Sequence, residues 1–235
     1  MPKQTPRVAL VTGASRGIGR AVALALAAQG AHVILLARTQ ADLETVYDEI
    51  IRTGGQATGT PFDITDYAAI DRLGGVVAER WGRLDALAGI AGVLGPITPV
   101  AHIDPSAFAE VFAVNVTANA RLIRAFEPLL LASQAGRAVF ATSGVAQSAK
   151  PFWGAYAASK AALDTMVRCW AHEQANTALR INLVSPGPIR TAMRAKAMPG
   201  EDPNTLPSPE QVAKLFVKLL DPAWQETGQI IDFKP

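Results

Sequence analysis

Short, unbroken apolar runs recur along this chain, each followed by a turn and then by a stretch with helical spacing. Runs of that kind mark strands covered on both faces. They fall at Val8–Thr12, Ala31–Ala37, Leu84–Ala88, Arg137–Thr142 and Ile181–Val184, and the more polar Gln56–Phe62 and Gly228–Phe233 supply a third and a last strand in chain order. Between them the spacing predicts helices over Arg20–Gln29, Thr39–Arg52, Asp66–Trp81 and residues 105–131. Two more follow, one carrying Tyr156 and Lys160 to Gln174 and one over Glu210–Leu220.

Local signals place several ends. Thr39-x-x-Asp42, Asp66 and Ser208 suit helix N-caps, and Asp104-Pro105 puts a proline at a first helical position. Gly54-Gly55 closes one helix, and Pro186-Gly187-Pro188 stops a strand. Residues from Thr191 to Pro207 read as a short loop. Alternating strand and helix throughout implies an α/β fold, a parallel sheet with helices on both faces. The turn at Gly13–Gly19, Asp63, Gly92, Ser143 and Pro186-Gly187 all come just after strands. That is the edge where open α/β sheets bind ligands.

A length of 235 residues suits one domain with its own core. The net charge of +2, with no basic run, argues against a nucleic-acid partner. No stretch is apolar enough to span a bilayer, and the first residues lack the apolar core of a signal peptide. The lone Cys169 excludes an internal disulfide, suits a cytoplasmic protein, and reads as a small buried hydrophobe. His32, His102 and His172 show no metal-ligand spacing, so no metal is expected.

The candidate chemistry sits at two places. Val8–Thr12 runs into Gly13-Ala14-Ser15-Arg16-Gly17-Ile18-Gly19 and then into a helix. Glycines let backbone approach a pyrophosphate, and a helix N-terminus offers free N–H groups to it. Arg38 ends the second strand, where a cation accommodates the 2′-phosphate of NADP and an acid would select NAD. Arg16 can reach the same phosphate. Further along, Tyr156 and Lys160 lie four apart on one helical face. An ammonium there is expected to lower the phenol's pKa, and Ser143 can hydrogen-bond the same substrate oxygen.

Thr12-Gly13-x-x-x-Gly17-x-Gly19, Asn115, Ser143, Tyr156-x-x-x-Lys160 and Pro186-Gly187, in this order, resemble the classical short-chain dehydrogenase/reductase family along essentially the whole chain. The resemblance implies a single Rossmann-type, NAD(P)-binding domain over residues 1–235, a doubly wound sheet of seven parallel strands. It implies hydride transfer between the coenzyme and a small carbonyl or secondary alcohol. Tyr156 would be the general acid in reduction and the base in oxidation, with Lys160 assisting it and binding the nicotinamide ribose. Ser143 would orient the substrate oxygen, and Asn115 would hold a relay water. Coenzyme contacts would come from Gly13, Ser15, Arg16, Gly17, Ile18, Gly19, Arg38, Asp63, Ile64, Asn115, Tyr156, Lys160, Pro186, Gly187, Ile189 and Thr191. NADP is the expected coenzyme, with NAD as the alternative, and a homodimer or homotetramer is the expected assembly.

Gly89-Ile90-Ala91-Gly92 stands where the family has Asn-Asn-Ala-Gly, so amides that would tie strands and loops together are missing. The C-terminus lacks a glycine-rich ending. Val93, Leu94, Val145, Phe152, Trp153 and Met193 would face an apolar substrate, with Arg190, Arg194 and Lys196 flanking them. The rival reading is a non-catalytic NADP-binding redox sensor or regulator. A serine hydrolase is excluded, because Ser143 is not in a Gly-x-Ser-x-Gly elbow.

Overall fold

The structure is a computed structural model that describes residues 6–235. Seven strands form one sheet: β1 (Val8–Thr12), β2 (His32–Ala37), β3 (Gln56–Pro61), β4 (Ala86–Gly89), β5 (Arg137–Ala141), β6 (Arg180–Ser185) and β7 (Ile230–Asp232). Their order is β3-β2-β1-β4-β5-β6-β7, and every pairing is parallel. The helices are α1 (Gly17–Ala28), α2 (Gln40–Arg52), α3 (Tyr67–Trp81), α4 (Pro105–Phe112), α5 (Ala118–Leu131), α6 (Val145–Ser148), α7 (Gly154–Glu173), α8 (Ala192–Ala197) and α9 (Pro209–Leu220).

Strand periodicity divides the core. Ala9 and Val11 face one layer with Val22, Leu26, Val46 and Phe216 of α1, α2 and α9. Val8 and Leu10 face the other with Val77, Phe126, Val167 and Trp170 of α3, α5 and α7. The five residues of β1 are all buried, as the unbroken apolar run requires. Because β1 pairs with both β2 and β4, successive connections diverge on either side of it. A crevice therefore opens beyond the carboxyl ends of these strands.

Several ends differ from the pattern. The stretch 105–131 is two helices joined by a π-helical turn, Ala113–Thr117, which contains Asn115. Such turns are common at functional sites. Asp104 and Asp66 cap as expected, Asp66 accepting from the Ala69 N–H at 2.9 Å. Thr39 occupies its cap position, but its hydroxyl makes no capping bond. The segment after Thr191 is not plain loop. It forms α8, capped by the Thr191 hydroxyl, and a 3₁₀ turn at Pro203–Thr205. Cys169 is exposed on α7, not buried, because its position falls on the face away from the sheet.

Candidate functional site

The glycine turn is shaped as a cradle. Gly13 and Gly17 have φ of +66° and +54°, where a side chain is strained. A Cβ on Gly19 would lie 2.1 Å from the Gly13 carbonyl oxygen, so no side chain fits there. Backbone N–H groups at the start of α1 are thus left open to an anion. Arg16 sits at the N-cap of α1 without a side-chain capping bond and is exposed. Arg38, just past β2, is also largely exposed and lies 3.9 Å from Asp63. Partial burial works against the charge on Asp63, yet hydrogen bonds from Thr65 and the nearby Arg38 hold its carboxyl below the usual range. The donor set fits a phosphorylated dinucleotide: a glycine cradle at a helix start, with two exposed guanidinium groups beside it, one of them loosely paired with Asp63. The side chains of Ile64 and Ile189 are buried, and Ile18 packs against the core, so these residues offer backbone only.

The missing amides after β4 have a physical account. A Cβ on Gly89 would come within 2.3 Å of the Phe140 ring, so Phe140 excludes any larger residue. The loop is held instead by Thr12, whose hydroxyl accepts from the N–H groups of Ile90 and Ala91, both at 3.0 Å. Thr12 is one of the residues whose positioning role is visible only in three dimensions.

Asn115 is fully buried. Its side chain accepts from the Val93 N–H and donates to the Val93 carbonyl, both at 2.9 Å, and donates to the Ser159 hydroxyl at 3.0 Å. Asn119 donates to the Asn115 carbonyl at 2.9 Å, across the π turn. These bonds clamp the loop after β4 to α7.

Tyr156 and Lys160 share the inner face of α7, and both are buried. The Lys160 ammonium donates to the Ala141 carbonyl at the end of β5 at 2.7 Å, 5.8 Å from the centre of the Tyr156 ring. Lys160 is therefore not a surface residue. The expected lowering of the phenol is not what the structure has. Burial pushes Tyr156 up to about 12, offset in part by a hydrogen bond with Ser143. Burial also lowers Lys160 to about 8, against the opposing charge of Asp164. Desolvation wins at both groups because each favours its neutral form in a dry setting. The outcome is a protonated phenol beside Ser143, suited to giving a proton to an oxygen.

Around this pair the pocket is apolar. Trp153 meets Tyr156 edge to face at 6.1 Å. Phe152 is exposed at φ +70°, and its carbonyl accepts from the Thr98 N–H at 3.0 Å, joining the loops after β4 and β5. Met193 is exposed at the start of α8, whereas Leu94, expected to face substrate, is buried. Arg194 makes a two-pronged ion pair with Glu201, so it is not a free cation at the rim. Pro186 and Gly187 follow β6, and the Thr191 methyl lies against Gly17 across the crevice. The glycine cradle, the Tyr156 group and the segment after β6 thus stand together at one edge of the sheet. No group of metal-ligating side chains occurs among the described residues.

Comparison with known proteins gives one consistent result. The family model described as short chain dehydrogenase matches residues 7–202. The oxidoreductase YciK of Escherichia coli K12 is 40% identical over 241 residues, covering 100% of this chain and 95% of that protein. A short chain dehydrogenase of Escherichia coli CFT073, crystallised in complex with NADPH, is 40% identical with a TM-score of 0.93, and 97% of each chain is covered. One from Shigella flexneri, in complex with NADP, is 39% identical with a TM-score of 0.92, and 96% of each chain is covered.

Proposed function

The chain belongs to the short-chain dehydrogenase family of oxidoreductases, and from that premise we propose that it is an NADP(H)-preferring carbonyl reductase acting through Tyr156. The observation that carries the reading is the buried, protonated Tyr156 phenol beside Ser143, on the same sheet edge as a glycine cradle flanked by Arg16 and Arg38. When bound, the coenzyme supplies the hydride. Gly13, Ser15, Gly17, Ile18 and Gly19 hold its pyrophosphate through backbone groups, and Arg16 and Arg38 bind its 2′-phosphate. Asp63 and Ile64 flank the adenine. Pro186, Gly187, Ile189 and Thr191 line the nicotinamide side.

Ser143 donates a hydrogen bond to the substrate oxygen and Tyr156 delivers its proton there. In the oxidative direction Tyr156 takes the proton back. Lys160 holds the ribose hydroxyls and replenishes the phenol. Asn115 keeps Val93 and Ser159 in register, and its carbonyl, engaged by Asn119 through one lone pair, keeps the other for a relay water.

The substrate is a carbonyl compound with an apolar body. Exposed Phe152 and Met193 and the half-buried Trp153 support this, as does the pairing of Arg194 with Glu201. Assembly as a cytoplasmic homodimer or homotetramer through α5 and α7 completes the proposal, and light scattering checks it. The test of function is a panel of ketones and aldehydes offered with NADPH and with NADH, followed by coenzyme absorbance. Turnover that favours NADPH is expected. Tight NADPH binding with no turnover on any member would return the chain to the redox-sensor reading.

A further inference from the structure

Asp164 is a buried ionisable group on the helix of Tyr156 and Lys160 that the mechanism does not use. Asp164 lies one helical turn beyond Lys160 on α7, a spacing that puts the two Cβ atoms about 5–6 Å apart. Both side chains are sealed from water, at 7% and 3% exposure. Asp164 Oδ1 and the hydroxyl of Thr142, the residue that follows β5, are buried with no close hydrogen-bond partner, and the Thr142 hydroxyl faces the carboxyl and favours its charged form. A carboxyl is almost never fully buried unless it is paired. Lys160, for its part, makes a single hydrogen bond, to the carbonyl of Ala141 beside Thr142.

We infer that Asp164 is the positioning residue for Lys160: its carboxylate is the buried counter-charge that keeps the Lys160 ammonium charged and in place. This rests on the proposed role of Lys160 at the coenzyme. The other groups around the ammonium cannot substitute. On α7 there is Tyr156, which is protonated, and on the segment after β5 the neutral hydroxyls of Thr142 and Ser143. The π turn contributes the amide of Asn115, whose Oδ1 lies near Lys160 across Gly92. Asp164 is the one carboxylate, among the described residues, whose charge acts on Lys160. Burial pushes the Asp164 carboxyl up, and the Thr142 hydroxyl, Lys160 and, a further turn along α7, exposed Arg168 each work against that to favour its charged form. The chain thus carries a line of alternating groups along one helix face: phenol, ammonium, carboxylate, guanidinium.

The experiment compares the wild-type protein with Asp164→Asn and Asp164→Glu across pH. Two readouts are used, NADPH affinity by fluorescence and kcat on any carbonyl substrate turned over. With its counter-charge removed, Lys160 loses its proton about one pH unit earlier, a modest fraction of a Coulomb term at this separation. The Asn variant should match wild type within about twofold near pH 6 and fall about tenfold below it near pH 9. The Glu variant, which keeps the charge, should restore the wild-type profile. Superimposable profiles, an equal loss at every pH, or a Glu variant that behaves like Asn would overturn the inference. If the Asn protein does not fold, Asp164→Leu removes the charge without leaving a buried polar atom and is read in the same way. Absence of NADPH binding in the wild-type protein would instead defeat the proposed function.

Discussion

Tyr156 and Lys160 show how a motif can be read correctly and its electrostatics misjudged. Helical spacing predicts their shared face, and Coulomb's law predicts that the ammonium lowers the phenol. Burial is the larger effect, because both groups are taken out of water and each moves toward its neutral form. Lys160 consequently destabilises the coenzyme-free protein. Its folded value of about 8 lies below the ordinary 10.5, so between these values the unfolded chain binds more protons. Stability should therefore rise with pH through that window, and the cost, up to about 3 kcal/mol, is fully present below it. Tyr156 acts in the opposite sense, losing stability as pH climbs above 10. Lys160→Met should be more stable than wild type at neutral pH by about 1–3 kcal/mol in urea melts without coenzyme. The gap should close as pH approaches 10; a constant gap would show that Lys160 does not titrate as described. At the other end of the crevice, Arg38→Asp should move the NADPH-to-NADH preference by about tenfold or more, measured as a ratio of kcat/KM values. An unchanged ratio would remove Arg38 from phosphate binding. Residues tied to a motif were legible in the sequence. The positioning roles of Thr12, Asn119 and Asp164 were not, because Thr12 holds a loop distant along the chain, Asn119 acts across the π turn, and Asp164 acts through burial that spacing does not reveal. The left-handed backbone of Phe152 was hidden for a different reason, since nothing in its composition distinguishes it from an ordinary loop residue.

Elements were legible where pattern and caps agreed. All strands but the partly polar edge strands β3 and β7 follow from unbroken apolar runs, and α3 and α4 from Asp66 and Asp104. The π turn at Ala113–Thr117 was not, because one extra residue in a helix leaves no mark on apolar spacing. It matters, since the turn carries Asn115, whose carbonyl accepts from Asn119 and whose side chain is bonded to Val93. Helix α8 was missed because six residues rich in Ala, Met and Lys have no apolar face long enough to register. The turn into α1 is the element with least tolerance. In Gly19→Ala the new methyl would collide with the Gly13 carbonyl, with no flexible side chain to yield. NADPH affinity should fall at least about tenfold while the sheet survives, because the clash is confined to the turn. Isothermal titration beside far-ultraviolet circular dichroism checks both halves. Undiminished affinity would show that the cradle can open without loss.

At the scale of the whole molecule, one sheet brings together segments far apart in sequence. The ends of β1, β2, β4, β5 and β6 carry the glycine cradle, Arg38, Gly92, Ser143 and Pro186-Gly187 to a single rim. That convergence was legible because alternating strands and helices leave few topologies, and right-handed crossovers put every following loop on the same edge. The replacement of Asn-Asn by Gly89-Ile90 could be seen in the sequence, but its compensation by Phe140 and Thr12 required the packed sheet. The central claim is that Tyr156 is the proton donor of a reductase whose coenzyme binding does not depend on the phenol hydroxyl. It is tested most directly by Tyr156→Phe, assayed for NADPH binding and for carbonyl-dependent NADPH oxidation in the same preparation. The account predicts affinity within about twofold of wild type and turnover reduced at least a hundredfold, the scale of a lost general acid. Turnover equal to the wild-type protein would contradict it.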